Sequence, residues 1–69
     1  MSPTEINMAV DRVRGEFTEM PGLRLSIPQA ARLWGLDQAA CHVVIGALEH
    51  RGFVRRTSTG LVVKAEDAT

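Results

Sequence analysis

The side chains best suited to binding chemistry lie in residues 51–64, where basic residues collect without any acid. Residues 51–64 carry four basic side chains and no carboxylate, whereas residues 1–20 carry four carboxylates and two arginines. Guanidinium and ammonium groups gathered in this way suit phosphate oxygens or an acidic partner. Arg55 and Arg56 also fit a second interpretation, in which they are solvated strand charges that deter pairing at a sheet edge. The sequence leaves both interpretations open.

The thiol, imidazole and carboxylate groups follow no pattern typical of catalysis or metal binding. Cys41, His42 and His50 are three candidate zinc ligands, but no fourth ligand has suitable spacing. Cys41 stands among apolar positions, which predicts a buried structural thiol. The carboxylates of the N-terminal segment would lie on a helix surface, without the desolvated cleft that paired acid and base groups need. We therefore expect no enzyme activity, no metal and no cofactor.

Length and composition indicate one small globular domain. The chain has 69 residues, of which 45% are hydrophobic and 23% charged, and its formal net charge is zero. Its single cysteine excludes an internal disulfide. We expect neither a signal peptide nor a membrane span, because no stretch approaches the roughly 18 apolar residues that a span requires. The expected location is therefore the cytoplasm, with no membrane partner.

Three helices are predicted from capping residues and from apolar residues that recur at steps of three and four. Ser2-Pro3-Thr4-Glu5 is a capping box, and it begins a helix over about residues 3–20 that Pro21-Gly22 ends. Ser26-Ile27-Pro28-Gln29 repeats the capping box before a second helix that Gly35 ends. Asp37 caps a third helix that ends at Arg51. The apolar positions assigned to the core of the first and third helices are Ile6, Ala9, Val10, Val13, Phe17, Met20, Cys41, Val44, Ile45 and Leu48.

Two regions of the sequence favour extended backbone. Leu23, Leu25 and Ile27 alternate with polar residues, which is typical of a very short strand. Residues 53–57 and 61–65 are β-prone and flank Ser58-Thr59-Gly60, which predicts a hairpin. A lone hairpin is marginal in water, so this one must pack on the helices. The predicted fold is mainly α with a small β-hairpin (α+β), in the order helix, strand, helix, helix and two hairpin strands.

Residues 24–65 resemble the winged helix-turn-helix family of small bacterial DNA-binding domains. A small residue stands where two helices of the family cross, a glycine four residues later forms the turn, and apolar positions follow. The run Leu48-Glu49-His50-Arg51-Gly52-Phe53-Val54-Arg55-Arg56 is similar to the family's junction between recognition helix and wing. The resemblance implies one domain over residues 1–69, with a supporting helix at 3–20, a helix-turn-helix at 28–51 and a wing at 53–65. The corresponding positions of the helix-turn-helix here are Ala31, Gly35, Leu36, Cys41 and Val44.

The resemblance also implies a function and a set of contacts with double-stranded DNA. The third helix would enter the major groove, the wing and its neighbours would hold the phosphate backbone, and a homodimer would act as a small transcriptional regulator. The residues that would approach base edges are Gln38, Ala39, His42, Val43 and Gly46. The residues that would hold the backbone are Arg24, Arg51, Arg55, Arg56, Ser58, Thr59 and Lys64.

The outward face of the third helix supports an alternative function as well. That face has no arginine or lysine, and Ala39, Val43 and Gly46 offer little hydrogen bonding. Met8 is expected to project away from the core side of the first helix, which adds to the apolar surface. The same fold class also serves as a protein-interaction module. A winged-helix module that dimerises or binds another protein through its third helix is therefore the alternative prediction.

Overall fold

The structure is a computed structural model that describes residues 2–65 as three helices and three short antiparallel strands. Met1 and residues 66–69 of the predicted domain lie outside this described part. The elements in chain order are α1 (Pro3–Glu19), β1 (Arg24–Ser26), α2 (Ile27–Trp34), α3 (Gln38–His50), β2 (Val54–Arg56) and β3 (Leu61–Lys64). The α+β class and the order of elements are confirmed, and each helix boundary falls within one residue of its predicted position.

The helix starts are fixed by the side chains that the sequence singles out. The Ser2 Oγ accepts a hydrogen bond from the Glu5 N–H at 3.2 Å, and the Glu5 carboxylate accepts one from the Ser2 N–H at 2.9 Å. Ser26 and Gln29 make the same reciprocal pair, at 3.2 and 3.0 Å. The Asp37 carboxylate accepts from the Ala40 N–H at 2.7 Å. These bonds satisfy backbone donors that the first helical turn leaves unpaired.

The turn between α2 and α3 is only three residues long and depends on Gly35. Its φ is +68°, in the left-handed region that a side chain with a Cβ rarely adopts. The Leu36 N–H then donates to the Ala31 carbonyl at 2.9 Å, which closes the end of α2. Because the turn is short, α3 starts at a fixed angle to α2, and the two helices pack closely.

The predicted hairpin is one part of a three-stranded sheet, which the sequence did not predict. The strand order is β1-β3-β2, so β3 is central and pairs antiparallel with both neighbours. The registers place Arg24 and Arg55 on either side of Val63, and Leu25 and Arg56 on either side of Val62. The first strand therefore supports the hairpin from its other side. A third strand also stabilises a hairpin that would be marginal alone.

The core lies where α1, α2, α3 and the inner face of the sheet meet. Trp34 and Phe17 pack edge to face there, with their ring centroids 6.2 Å apart. The buried apolar residues are Val10, Val13, Phe17, Ile27, Ala30, Ala31, Trp34, Cys41, Val44, Ile45, Leu48, Val54 and Val62.

One predicted core position is wrong. Met20 is 47% exposed, because α1 ends at Glu19 and Met20 is already the C-terminal cap with non-helical backbone angles. Pro21-Gly22 ends the helix one residue sooner than the stripe of apolar residues suggests.

Within residues 2–65, no helix has both the length and the apolar character required to cross a membrane.

Candidate nucleic-acid interface

The orientation of α3 follows from what it buries. Cys41, Val44, Ile45 and Leu48 are each 0% exposed and fix one side of the helix in the core. The Cys41 thiol also lies 3.8 Å from the Ile27 carbonyl, a weak hydrogen bond that ties α3 to the start of α2. Burial raises the pKa of this thiol, so the neutral form is favoured in the folded state. Cys41 is thus a packing residue rather than a nucleophile.

The opposite side of α3 carries the residues that the resemblance assigns to base contacts. Gln38, Ala39, His42 and Val43 are exposed, and Val43 keeps 50% of its surface open to solvent. Gly46 is half-buried, but a Cβ built on it meets nothing within 4 Å, so it also faces open space. We call these five residues the α3 ridge. No charged side chain belongs to this ridge.

An ion pair joins the sheet to the C-terminal part of α3. The Arg56 Nε lies 3.2 Å from the Glu49 Oε1, and both side chains are about one-third exposed. At 100° per residue, Glu49 falls within about 40° of Gln38 and His42 around the helix axis. The strand β2 therefore contacts the C-terminal part of α3. Glu49 shares its side of the helix with Gln38 and His42, which lie roughly 16 and 10 Å further towards the N-terminus at a rise of about 1.5 Å per residue. Glu49 was not among the predicted site residues, although its spacing of seven residues from His42 places both on one helix face.

The two adjacent arginines of β2 point to opposite faces of the sheet. Val54 and Arg56 share the inner face with buried Val62, and this is why Arg56 reaches Glu49. Arg55 projects to the outer face and is exposed. Arg56 was expected to be a backbone contact like Arg55, but it is partly neutralised by an ion pair on this side of the sheet.

The outer face of the sheet brings together cations that are far apart in sequence. Arg24 on β1 and Arg55 on β2 flank Val63 of the central strand, so both lie in the same row across the sheet. They line a shallow depression of about 300 Å³, which we call the basic sheet face. Lys64 lies at its margin, with its Nζ 5.8 Å from the centre of the Phe53 ring. The remaining lining residues are Pro21, Gly22, Leu23 and Thr57.

The turn of the hairpin exposes Ser58 and Thr59 and is held by a neighbouring hydroxyl. The Thr57 Oγ1 accepts from the Leu61 N–H at 3.1 Å and lies 2.9 Å from the Thr59 Oγ1. Gly60 has a φ of +86°, which closes the turn. Two exposed hydroxyls therefore project from a defined turn, where they can donate to an anion.

Arg51 completes the set of predicted contacts. It caps the C-terminal end of α3 and is exposed. Its cation is therefore separated along the helix from Gln38 at the N-terminal end.

Among residues 2–65, no group of three His, Cys, Asp or Glu side chains is placed to hold a metal ion. The side chains of this surface offer hydrogen-bond donors and positive charge.

No protein-family model, curated protein or solved structure matches this chain in the comparisons made with each.

Proposed function

We propose that the protein binds double-stranded DNA as a winged helix-turn-helix domain and acts as a small transcriptional regulator. In this proposal the α3 ridge enters the major groove while the basic sheet face and the hairpin turn contact phosphates. The observation that carries the proposal is the Glu49–Arg56 ion pair at 3.2 Å. It joins β2 to the C-terminal part of α3, on the side of the helix that also carries Gln38 and His42. A duplex that lies along this side of α3 would therefore also meet the hairpin.

The distribution of charge indicates which residues would contribute most of the affinity for DNA. The ridge is uncharged, whereas Arg24, Arg51, Arg55 and Lys64 make no ion pair with any carboxylate of residues 2–65. If these four cations each neutralise one phosphate, the slope of log K against log salt is about −3.6. A single domain with four such contacts binds weakly at physiological salt, so we expect two copies on adjacent half-sites.

Sequence readout rests on a smaller set of side chains. Gln38 has the amide geometry that pairs with the N6 and N7 atoms of adenine, and His42 lies one turn further along the helix. Ala39 and Val43 offer apolar contact to thymine methyl groups. This arrangement favours A·T-containing sites with modest discrimination over strong selection of guanine, which arginine and lysine provide in other proteins.

The test is fluorescence anisotropy of labelled duplexes at about 50 and 200 mM salt. We expect the affinity of the wild type to fall steeply between the two salt concentrations. The variant Arg24→Ala/Arg55→Ala should weaken binding to all duplexes alike and make the slope shallower by about 2. A matched control, Arg14→Ala, removes a cation from the exposed side of α1 and should leave the slope unchanged.

Absence of binding at low salt by a folded sample would refute the proposal. An equal effect per removed charge of Arg14→Ala and Arg24→Ala/Arg55→Ala would also count against it. The attraction would then depend on the net charge of the whole molecule and not on the basic sheet face. A further variant tests the recognition of bases separately. Gln38→Ala should reduce discrimination between duplexes of different sequence without a change in the salt slope, because the amide carries no charge.

One observation favours a protein partner as the second candidate. Ala39 and Val43 form, with Ile6, Asp37 and Ala40, a shallow and mainly apolar depression of about 250 Å³ between α3 and the start of α1. Exposed apolar surface of this kind is typical of an interaction site. Sedimentation of the wild type and of Val43→Ser tests this candidate, which predicts self-association that the substitution abolishes.

A further inference from the structure

A groove between α1 and the C-terminal end of α2 lies outside the proposed DNA interface. It has a volume of about 320 Å³, and it shares no residue with the α3 ridge or the basic sheet face. Its lining residues are apolar apart from one arginine, and one of them is a tryptophan. The lining residues are Met8, Ala9, Arg12, Val13, Trp34 and Leu36.

The indole of Trp34 carries a hydrogen-bond donor without an acceptor. Trp34 is 5% exposed, and its Nε1 is the one buried side-chain nitrogen or oxygen of residues 2–65 that lacks a partner. Buried tryptophans usually pair this N–H, because an unsatisfied donor is costly. The other contacts of the ring are those of core packing, including Phe17. This packing does not account for the unpaired N–H.

The guanidinium of Arg12 supplies a cation to the same groove. Arg12 is exposed, and it makes no ion pair with a carboxylate of residues 2–65. A guanidinium binds a carboxylate through two parallel hydrogen bonds, which an amide or an alcohol cannot reproduce. The groove therefore combines a cation with apolar walls, and one of its lining residues, Trp34, has an unpaired donor. This is the composition of a site for an apolar acid.

We propose that this groove binds a carboxylate attached to an apolar body, with the carboxylate on Arg12 and the Trp34 N–H. A cavity of about 150 Å³ holds benzene, so a groove of about 320 Å³ accommodates one ring with a short carboxylate arm. Met8 also lines the groove, is 68% exposed and has a flexible side chain, so it can adjust to the shape of a ligand. Such a carboxylate has two sources, a free organic acid or the C-terminus of a peptide that ends in an apolar residue.

The experiment uses Trp34 as its own probe, because the chain has a single tryptophan. The fluorescence of the whole protein is followed during titration with 3-phenylpropanoate and, separately, with its amide. We expect a saturable change with the acid and at least about tenfold weaker binding of the amide, the loss expected for one hydrogen bond to a charged group. A short peptide ending in phenylalanine, with a free or an amidated C-terminus, forms the second pair of ligands.

Paired variants locate the site. Arg12→Gln should weaken binding of the acid about tenfold, whereas Arg14→Gln, a neighbouring exposed arginine of α1, should leave it unchanged. Trp34→Phe removes the donor but keeps an aromatic ring, and the ligand-induced rise in Tm should fall in this variant. If Trp34→Phe does not fold, the two arginine variants still decide the question.

Each outcome of these titrations supports or overturns the proposal. Tighter binding of the free acid identifies a small molecule as the natural ligand class, and tighter binding of the peptide acid identifies a protein terminus. Equal binding of acid and amide, equal effects of Arg12→Gln and Arg14→Gln, or absence of a saturable signal with both acids would overturn the proposal. None of these measurements depends on DNA binding, so failure of the carboxylate-site proposal can be distinguished from failure of the proposed DNA-binding function.

Discussion

The α3 ridge and the basic sheet face differ in nearly every property that matters for recognition. The five residues of the ridge include no carboxylate, guanidinium or ammonium group, and their exposed side chains are an amide, an imidazole and small apolar groups. The basic sheet face is assembled from three strands and carries Arg24 and Arg55 around Val63. In a DNA complex, the sheet would supply affinity that depends on salt, and the ridge would supply contacts that do not.

This division implies that the two surfaces must be held together by the core. Leu48 lies on the buried side of α3, is 0% exposed, and its carbonyl accepts from the Phe53 N–H at 2.9 Å, just before β2. The same residue thus packs α3 and begins the connection to the sheet. Variants at this position, in the turns and at the Glu49–Arg56 contact separate what each surface contributes.

The largest expected effect is that of Leu48→Ala. Removal of a fully buried leucine should lower the free energy of unfolding by about 2–5 kcal/mol, a large share of the stability of a small domain. Urea denaturation followed by circular dichroism measures the loss. Val43→Ala on the exposed side of the same helix is the control and should change stability by less than about 0.5 kcal/mol. Equal losses in the two variants would show that the buried side of α3 is assigned wrongly.

The turn glycines provide the next comparison. Gly35 and Gly60 both have positive φ, and neither has an atom within 4 Å of a built Cβ, so only backbone strain opposes alanine. Each substitution should cost about 1–2 kcal/mol. Gly35→Ala strains the junction of α2 and α3, whereas Gly60→Ala strains only the hairpin turn. We expect hydrogen exchange to accelerate throughout the helices in the first variant and mainly in β2 and β3 in the second.

A smaller effect is expected from Glu49→Gln, which releases Arg56 from its ion pair. The pair is partly exposed, so its loss should change stability by less than about 1 kcal/mol. If a duplex lies against the ridge and hairpin together, removal of the carboxylate should tighten binding and steepen the salt slope by about 1. Glu16→Gln on α1 is the matched control. Unchanged DNA binding in Glu49→Gln would place the duplex away from this edge of α3.

The smallest effect concerns pH and Cys41. Burial raises the pKa of its thiol above that in the unfolded chain. The contribution to stability is therefore complete below the unfolded pKa and is lost as the pH rises through the folded pKa, because the unfolded state releases its proton first. Denaturation at a series of alkaline pH values should show this fall in the wild type. The fall should be smaller in Cys41→Ala, and an identical pH dependence in both proteins would contradict the assignment.

Much of the fold could be predicted because its signals are local. Ser2, Ser26 and Asp37 each cap a helix through a residue three positions along the chain, and Gly35 ends α2 through its own backbone angle. Such features are visible in a window of a few residues. The apolar spacing of α3 likewise predicted which of its residues are buried, including Cys41.

The features that were missed depend on pairing between distant residues. The first strand has only three residues, and its sequence contains no local signal that predicts its pairing with β3. The Glu49–Arg56 contact requires the register of β2, since a shift of one residue would place Arg55 against α3 instead. The unpaired N–H of Trp34 depends on every residue packed around the ring.

The most direct test of the central claim is to map a duplex onto the protein by the shifts of its backbone amide resonances at low salt. The account predicts that the largest changes fall on Gln38, His42 and Arg55 and on the turn at residues 58–60, while the exposed side of α1 remains unperturbed. Changes centred on α1, or no changes with a protein that is folded, would contradict it.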